Sequence, residues 1–466
     1  MEVTDIGTTI PKGGNTMKHT LLHRIFALSL AAVALSGVMT GTVVSAAGHT
    51  AGMTVTATTT ATPYRFTTNQ DGTLTITQYT GRETAVRIPS SINGKQVTDI
   101  GTSAFVNCTS VTSIYLPTSI KTVSGTAFVG CTSLKRFQVD AGHPFYSAAN
   151  GVLFNKNKTT LVAYPGGKAG AYTVPNTVTL IDSHAFSECT ALTAVTIPAS
   201  VKTIGFNAFA LCTGLTKVTL SEGLTTIKTG AFNGCKKLIA VTLPSSVATL
   251  ESYAFSFCRS LKSMVIPKKV TILPFSLFEG CSSLRYVQIP SGVTKVYSNV
   301  FGACTSLTSV RLPKTVKNIY GLAFCGCHQL TNLTILSTNA QMQPVAFDDC
   351  SNLTIYGQKG STAEAVAKTA GIPFSTQKAP AQSLSTITVQ NKTIAVKAKA
   401  IDGTAPYRFA VYYRAPGTNV WRIAQNYSTN ATIRFTVAQA GSYQVEIRIK
   451  DADNRITRQN TAVTVK

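Results

Sequence analysis

The sequence predicts a repeat solenoid, mainly β with short turns and helical pieces, followed by a small all-β sandwich. Three observations carry that reading. Cysteines recur every 23 residues over much of the chain. The residues around each cysteine repeat one apolar pattern. Beyond residue 374 the period is lost, and short alternating runs take its place. A fixed spacing in the range of roughly 20–50 residues marks an array of stacked units.

Cys108 and Cys131 are 23 residues apart, and Cys189, Cys212, Cys235, Cys258, Cys281, Cys304, Cys327 and Cys350 follow at the same step. The gap from Cys131 to Cys189 is 58 residues, two periods plus 12. One unit supplies Leu192, Val195, Ile197, Val201, Ile204, Ala208, Phe209 and Cys212; the next supplies Leu215, Val218, Leu220, Leu224, Ile227, Ala231, Phe232 and Cys235. The Leu-x-x-Val-x-Ile stretch alternates with period 2 and predicts a short strand. Pro117, Pro198, Pro244, Pro267, Pro290 and Pro313 end it. Proline at this spacing forbids long helices, so Ala-Phe-x-x-Cys is expected as a tight turn or short helical piece. No unit can bury its apolar face alone, whereas roughly eleven stacked coils form one continuous core. Residues 64–85 are expected to cap one end as a hairpin, and residues 353–374 the other as a last strand plus a covering helix.

The motif Ile-Gly-x-x-Ala-Phe-x-x-Cys-x-x-Leu-x-x-Val-x-Ile-Pro is similar to the BspA-like leucine-rich repeat family, over about residues 64–374. Departures are mild: Ser221 and Leu336 replace the usual proline, and Leu273-Pro274 the Ile-Gly pair. The insert from Asp140 to Pro165 resembles a degenerate unit of that family. The resemblance implies a curved solenoid on secreted or surface proteins, mostly bacterial, used for adhesion and protein binding.

A polar linker is expected at 375–383. From 384 to 466, seven runs predict a β-sandwich: Ser385–Val389, Thr393–Ala400, Tyr407–Arg414, Val420–Tyr427, Ala431–Val437, Ser442–Lys450 and Thr461–Lys466. Tyr407 to Arg414, Trp421 and the stretch from Ala440 to Asp453 resemble the triple-tyrosine-motif domain, an immunoglobulin- or fibronectin-like module. Tyr407, Trp421 and Tyr443 are expected as core residues. Asp451-Ala-Asp453-Asn454 lacks the glycine and terminal glutamate of a calcium loop and reads as a turn.

Residues 1–47 read as a leader. Met17 opens a basic stretch, an apolar segment from Ile25 to Met39 follows, and small residues suit cleavage after Ala46 or Ala47. The start is either Met1 or Met17. Residues 48–63 form a Thr-rich linker. Export is expected, with a secreted or surface-associated product and no membrane span after cleavage.

The 466 residues carry 42 Lys and Arg against 18 Asp and Glu, a formal charge of +24. One Trp and six His argue against a haem or multi-histidine metal site, and no cofactor is expected. No nucleophile elbow, phosphate loop or pair of positioned carboxylates emerges, so catalysis is not expected. Each ladder Cys sits three residues after Phe, at a core position. Buried thiols are favoured there, with inter-coil disulfides and metal binding as alternatives. Cys325 breaks the ladder and is the one candidate for an exposed, reactive thiol.

The outward positions of the strands carry the candidate binding residues: Tyr115, Lys135, Arg136, Lys217, Lys262, Arg285, Tyr286 and Arg311. Thr196, Thr219, Thr242, Gln288 and Thr334 share the stripe. A basic face with Arg and Tyr suits an extracellular protein or an anionic glycan. Nucleic acid is not expected, because no aromatic-and-basic strand-binding motif accompanies the charge. The alternative role is an architectural spacer whose C-terminal sandwich docks to the cell envelope or a polysaccharide.

Overall fold

A computed structural model describes residues 62–377, 382–383, 385–401, 405–452 and 454–466. The leader and most of the Thr-rich linker lie outside the described residues, as do parts of the 375–383 linker.

From Tyr64 to Ser375 the chain winds as a β-solenoid of about 13 turns, about two more than the roughly eleven expected. The difference comes from the ends and from residues 140–165, where no ladder cysteine marks the coil. In a regular coil, a long strand such as Leu192–Ile197 leads through a proline turn to a short strand, Thr203–Ile204. A corner turn then returns the chain to the next long strand. Both strands pair in parallel with equivalents 23 residues on: Val195 with Val218, Thr203 with Thr226.

The corner segment is a succession of turns, and its hydrogen bonds alternate. The N–H groups of Asn207, Phe209 and Leu211 donate to Thr229, Ala231 and Asn233 of the next coil. Those of Ala208, Ala210 and Cys212 donate three residues back within the turn. Alternation requires left-handed residues, and Asn207 and Leu211 have φ of 50° and 58°. The position before the cysteine is therefore often glycine (Gly130, Gly234, Gly280, Gly326), which adopts this region without steric cost. All three sides of the coil thus carry backbone bonds to the neighbour, which holds the 23-residue period so strictly.

Inside the stack, one phenylalanine per coil forms a ladder. Phe209 and Phe232 have centroids 5.1 Å apart with rings 6° from parallel, and the row continues through Phe255, Phe278, Phe301, Phe324 and Phe347. Full burial of each such ring contributes about 1.5–3 kcal/mol.

Residues 140–165 do not form a coil of the regular kind. Tyr146–Ala149, Val152–Asn155 and Thr160–Ala163 make an antiparallel meander, and only its last strand joins the short-strand row, beside Leu180–Ile181. The meander divides the solenoid core. Leu153, Val162 and Ala163 pack with the N-terminal coils; Val152, Phe154 and Leu161 pack with the C-terminal ones.

The expected caps are present. Tyr64–Thr68 and Leu74–Tyr79 form a hairpin whose second strand runs parallel to Lys95–Ile100. At the other end, helix Thr362–Ala370 follows the strand Thr354–Tyr356. Ser361 accepts from the Glu364 N–H at its start, and Gly371, at φ 68°, closes it.

The C-terminal residues form a three-stranded antiparallel sheet (Thr386–Gln390, Thr393–Lys397, Thr432–Thr436) and a four-stranded one (Trp421–Ser428, Arg408–Arg414, Gly441–Lys450, Ile456–Val465). A short pair, Gln382–Ser383 with Ala400–Ile401, accompanies them. Their core is separate from the solenoid's and contains Ile394, Val411, Ile433, Tyr443 and Ile447. The last strand begins at Ile456, five residues before its expected start at Thr461.

Candidate binding surface

Register sorts the eight sequence candidates. Arg136, Lys217 and Tyr286 occupy the first outward row of the long strands, and Tyr115 and Arg311 the second. Lys135, Lys262 and Arg285 stand one residue ahead of their strands, at the corner. The six Lys and Arg side chains are exposed; Tyr115 and Tyr286 are half-buried.

The candidates do not form one unbroken stripe. Between Arg136–Val139 and Gly170–Thr173 the meander interrupts the long-strand face, leaving Tyr115, Lys135 and Arg136 on one side and the other five beyond it. The later gap between Ala240–Val241 and Ser263–Val265 is bridged: the Lys262 N–H donates to the Ile239 carbonyl at 3.1 Å. Among the described long strands, no Asp or Glu stands in either outward row. Carboxylates sit elsewhere on the coil, as with Asp182 and Glu251 after short strands and Glu188 and Glu279 in corner turns.

Two contributors were missed. Arg87 belongs to the second row, paired with Tyr115, and its guanidinium lies 3.9 Å from that ring's centroid. The signal was legible, since Val86-Arg87-Ile88-Pro89 matches Val-x-Ile-Pro; its 28-residue offset from Tyr115 hid it. Lys168 comes from the irregular segment after the meander, where period gives no guidance.

The ladder thiols have a definite role. Cys235 donates to the Phe209 carbonyl at 3.2 Å, Cys212 to Phe186 at 2.9 Å and Cys304 to Phe278 at 3.2 Å, in each case the phenylalanine of the preceding coil, while Cys189 donates to the Tyr164 carbonyl at 3.7 Å. Cysteine suits the site as a small apolar group with one weak donor. All eleven cysteines are free. Burial pushes the Cys131 and Cys212 thiols up to about 12. Cys325 is half-buried, and burial together with the Asp348 and Asp349 carboxylates raises it too, which opposes the exposed, reactive thiol for which it was the one candidate.

Among the described residues, the histidines stay apart. His143 is buried, its Nδ1 accepting the N–H groups of Phe145 and Tyr146. His184 is half-buried in its turn, and His328 pairs with Asp349 at 2.8 Å on the surface. In the sandwich, Asp451 is buried and bonded to Arg455 across a turn. Tyr443 is buried, its hydroxyl donating to the Gln439 carbonyl. Trp421 departs from expectation: it is exposed on an edge strand, with Arg414 5.3 Å from its ring.

Fold and surface together define a leucine-rich-repeat solenoid that presents an acid-free strand face. The BspA type leucine-rich repeat region matches residues 82–160, 163–285 and 225–354, more than half of the chain, and the chain belongs to that family. A leucine-rich cell surface protein from Faecalibacterium prausnitzii is 26% identical, covering 65% of this chain and 95% of its own, with a TM-score of 0.37. Leucine-rich repeat proteins from Eubacterium ventriosum (24% identical, 62% and 93% covered, TM-score 0.41) and Bacteroides ovatus (22%, 67% and 98%, 0.33) also align. At these TM-scores membership rests on the repeat match. Comparison with curated proteins gave no match. No helix among the described residues is long and apolar enough to cross a membrane.

Proposed function

We propose that this protein is an exported, non-catalytic binding protein whose basic long-strand face engages an extracellular protein or an anionic glycan. The carrying observation is the composition of that face: Arg87, Tyr115, Arg136, Lys217 and Arg311 in the outward rows, Lys135, Lys262 and Arg285 at the corner, and no carboxylate among them. Such a surface attracts anions from a distance, while Arg and Tyr supply contact energy on arrival. The test is binding to a panel of extracellular proteins and acidic glycans, comparing the native chain with one carrying Glu at 135, 136, 285 and 311. Unchanged affinity removes the face from consideration.

A second reading makes the solenoid a spacer and the C-terminal sandwich the docking piece. Its support is an apolar edge: Val420, Trp421 and Ile423 are 68%, 39% and 60% exposed at the start of one strand. The triple-tyrosine-motif resemblance of this domain belongs to the same reading. Under it, residues 384–466 produced alone should sediment with cells or polysaccharide, and residues 64–374 should not.

A further inference from the structure

The geometry points to a discrete site for a carboxylate- or sulfate-bearing saccharide where the meander interrupts the solenoid, a proposal that rests on the basic face being the binding surface. Where the long strands of that face pair, as Leu192–Ile197 does with Lys217–Leu220 and Ser309–Leu312 with Asn332–Ile335, one follows another at ladder spacing, about 4.8 Å. Beside Arg136–Val139 the next long strand is displaced. The two-residue turn of the meander, Asn150-Gly151, stands in its place.

That turn is built to approach closely. Asn150 and Gly151 both have positive φ, 50° and 80°. The Phe137 N–H donates to the Gly151 carbonyl at 2.8 Å. A Cβ on Gly151 would lie 2.9 Å from the Cβ of Arg136, so only glycine fits. The displaced strand leaves an open depression of about 610 Å³. This lies within the span of roughly 300–1,000 Å³ typical of small-ligand sites.

Three cations surround the depression, from separate parts of the chain: Lys135 and Arg136 from the coil, and Lys168 from the segment that re-enters the solenoid. Lys168 donates to the Asn150 carbonyl at 2.8 Å, which fixes its ammonium at the rim with two N–H donors to spare. No carboxylate lines the space. The amides of Gln138 and Asn150 are exposed there, and each can both donate and accept.

Arg136 can grip a planar carboxylate or a sulfate with two parallel N–H bonds. The two amides match sugar hydroxyls, which also both donate and accept. The opening is shallow, its apolar members Phe137, Val139 and Ala148 are buried or half-buried, which leaves little for a peptide anchor, and no exposed aromatic ring lines it for a nucleobase to stack on. An acidic sugar satisfies the charge, the hydroxyl-matching amides and the size together.

The test is calorimetric titration of the intact chain at physiological salt with four probes: an oligogalacturonate, a sulfated heparin-type oligosaccharide, a neutral oligosaccharide of equal length, and polyphosphate. Saturable binding of either acidic saccharide, with weaker binding of the other two probes, is expected; the stronger arm identifies carboxylate or sulfate. Lys135→Gln with Arg136→Gln, both exposed and fold-neutral, should weaken it by roughly tenfold or more, as should Lys168→Gln. Lys314→Gln with Lys317→Gln, both exposed and outside the long-strand face, should leave it unchanged. Equal loss from that pair would overturn the discrete site, because binding would then follow net charge alone. Equal binding of polyphosphate, or no binding of either acidic saccharide, overturns the saccharide proposal; protein ligands from the panel then decide the wider reading.

Discussion

The cysteine ladder should be nearly inert to thiol reagents while the coils stay stacked. The perturbation is a small alkylating reagent at pH 8. Attack needs the thiolate. With its thiol pushed up to about 12, Cys212 is ionised to roughly one part in 10⁴ at that pH, against about a quarter for a free thiol near 8.5. Ionisation alone therefore slows its reaction by on the order of 10³. Burial slows it further, because Cys212 is fully inaccessible and its sulfur is engaged by the Phe186 carbonyl, so reagent must wait for local opening. Cys108 and Cys325, the two half-buried thiols, should be modified first. Peptide mapping by mass spectrometry at timed intervals resolves each site, and unfolding should release all eleven. The reasoning fails if Cys212 is alkylated as fast as Cys325 in the folded chain. It fails equally if the folded protein yields disulfide-linked peptides from cysteines 23 residues apart.

Three more expectations follow from the same geometry. Raised thiols bind their protons more tightly in the folded state, so their contribution to stability should be constant below about pH 8.5 and fall above it. For Cys212 the loss is about 1.4 kcal/mol per unit up to about 12, and Cys212→Ala should make the alkaline limb of a denaturation series less steep by that share, the other ladder thiols still contributing. Gly280→Ala should destabilise by at least about 1–2 kcal/mol in denaturant melts, since φ is 68° and the new Cβ would lie 2.5 Å from the Phe257 ring; Gly292→Ala, with 3.6 Å to its nearest neighbour, serves as a mild control. Phe255→Ala should cost about 3–5 kcal/mol, because a fully buried ring between Phe232 and Phe278 leaves a cavity that a hydrogen-bonded stack cannot close.

Much of the solenoid was legible because its period is a spatial fact written in one dimension. A residue pairs with the residue 23 positions on, as Val195 does with Val218, so an apolar row in the sequence is an apolar row in the core. The caps and the sandwich strands were legible for a related reason: period-2 alternation and turn residues act locally. The left-handed positions were only half visible. Gly234 and Gly280 announce them, but Leu211 and Phe257 occupy the same place under the compulsion of inter-coil hydrogen bonds that a sequence does not display.

The candidate surface divides in the same way. Sequence alone placed Tyr115, Arg136, Lys217, Tyr286 and Arg311 in the outward rows of the long strands, because strand geometry alternates and the repeat supplies the frame, but it put Lys135, Lys262 and Arg285 there too, and these stand at the corner, one residue ahead of their strands. It also determined that the face is basic. Tertiary structure alone decided that the stripe breaks after Arg136, that Arg87 stacks on Tyr115, and that Lys168 meets Lys135 and Arg136 around one depression. Those three facts arise where the period fails, in the offset first unit and the inserted meander. There, neighbours are set by how the chain packs against the last regular coil, and spacing along the chain carries no information about distance.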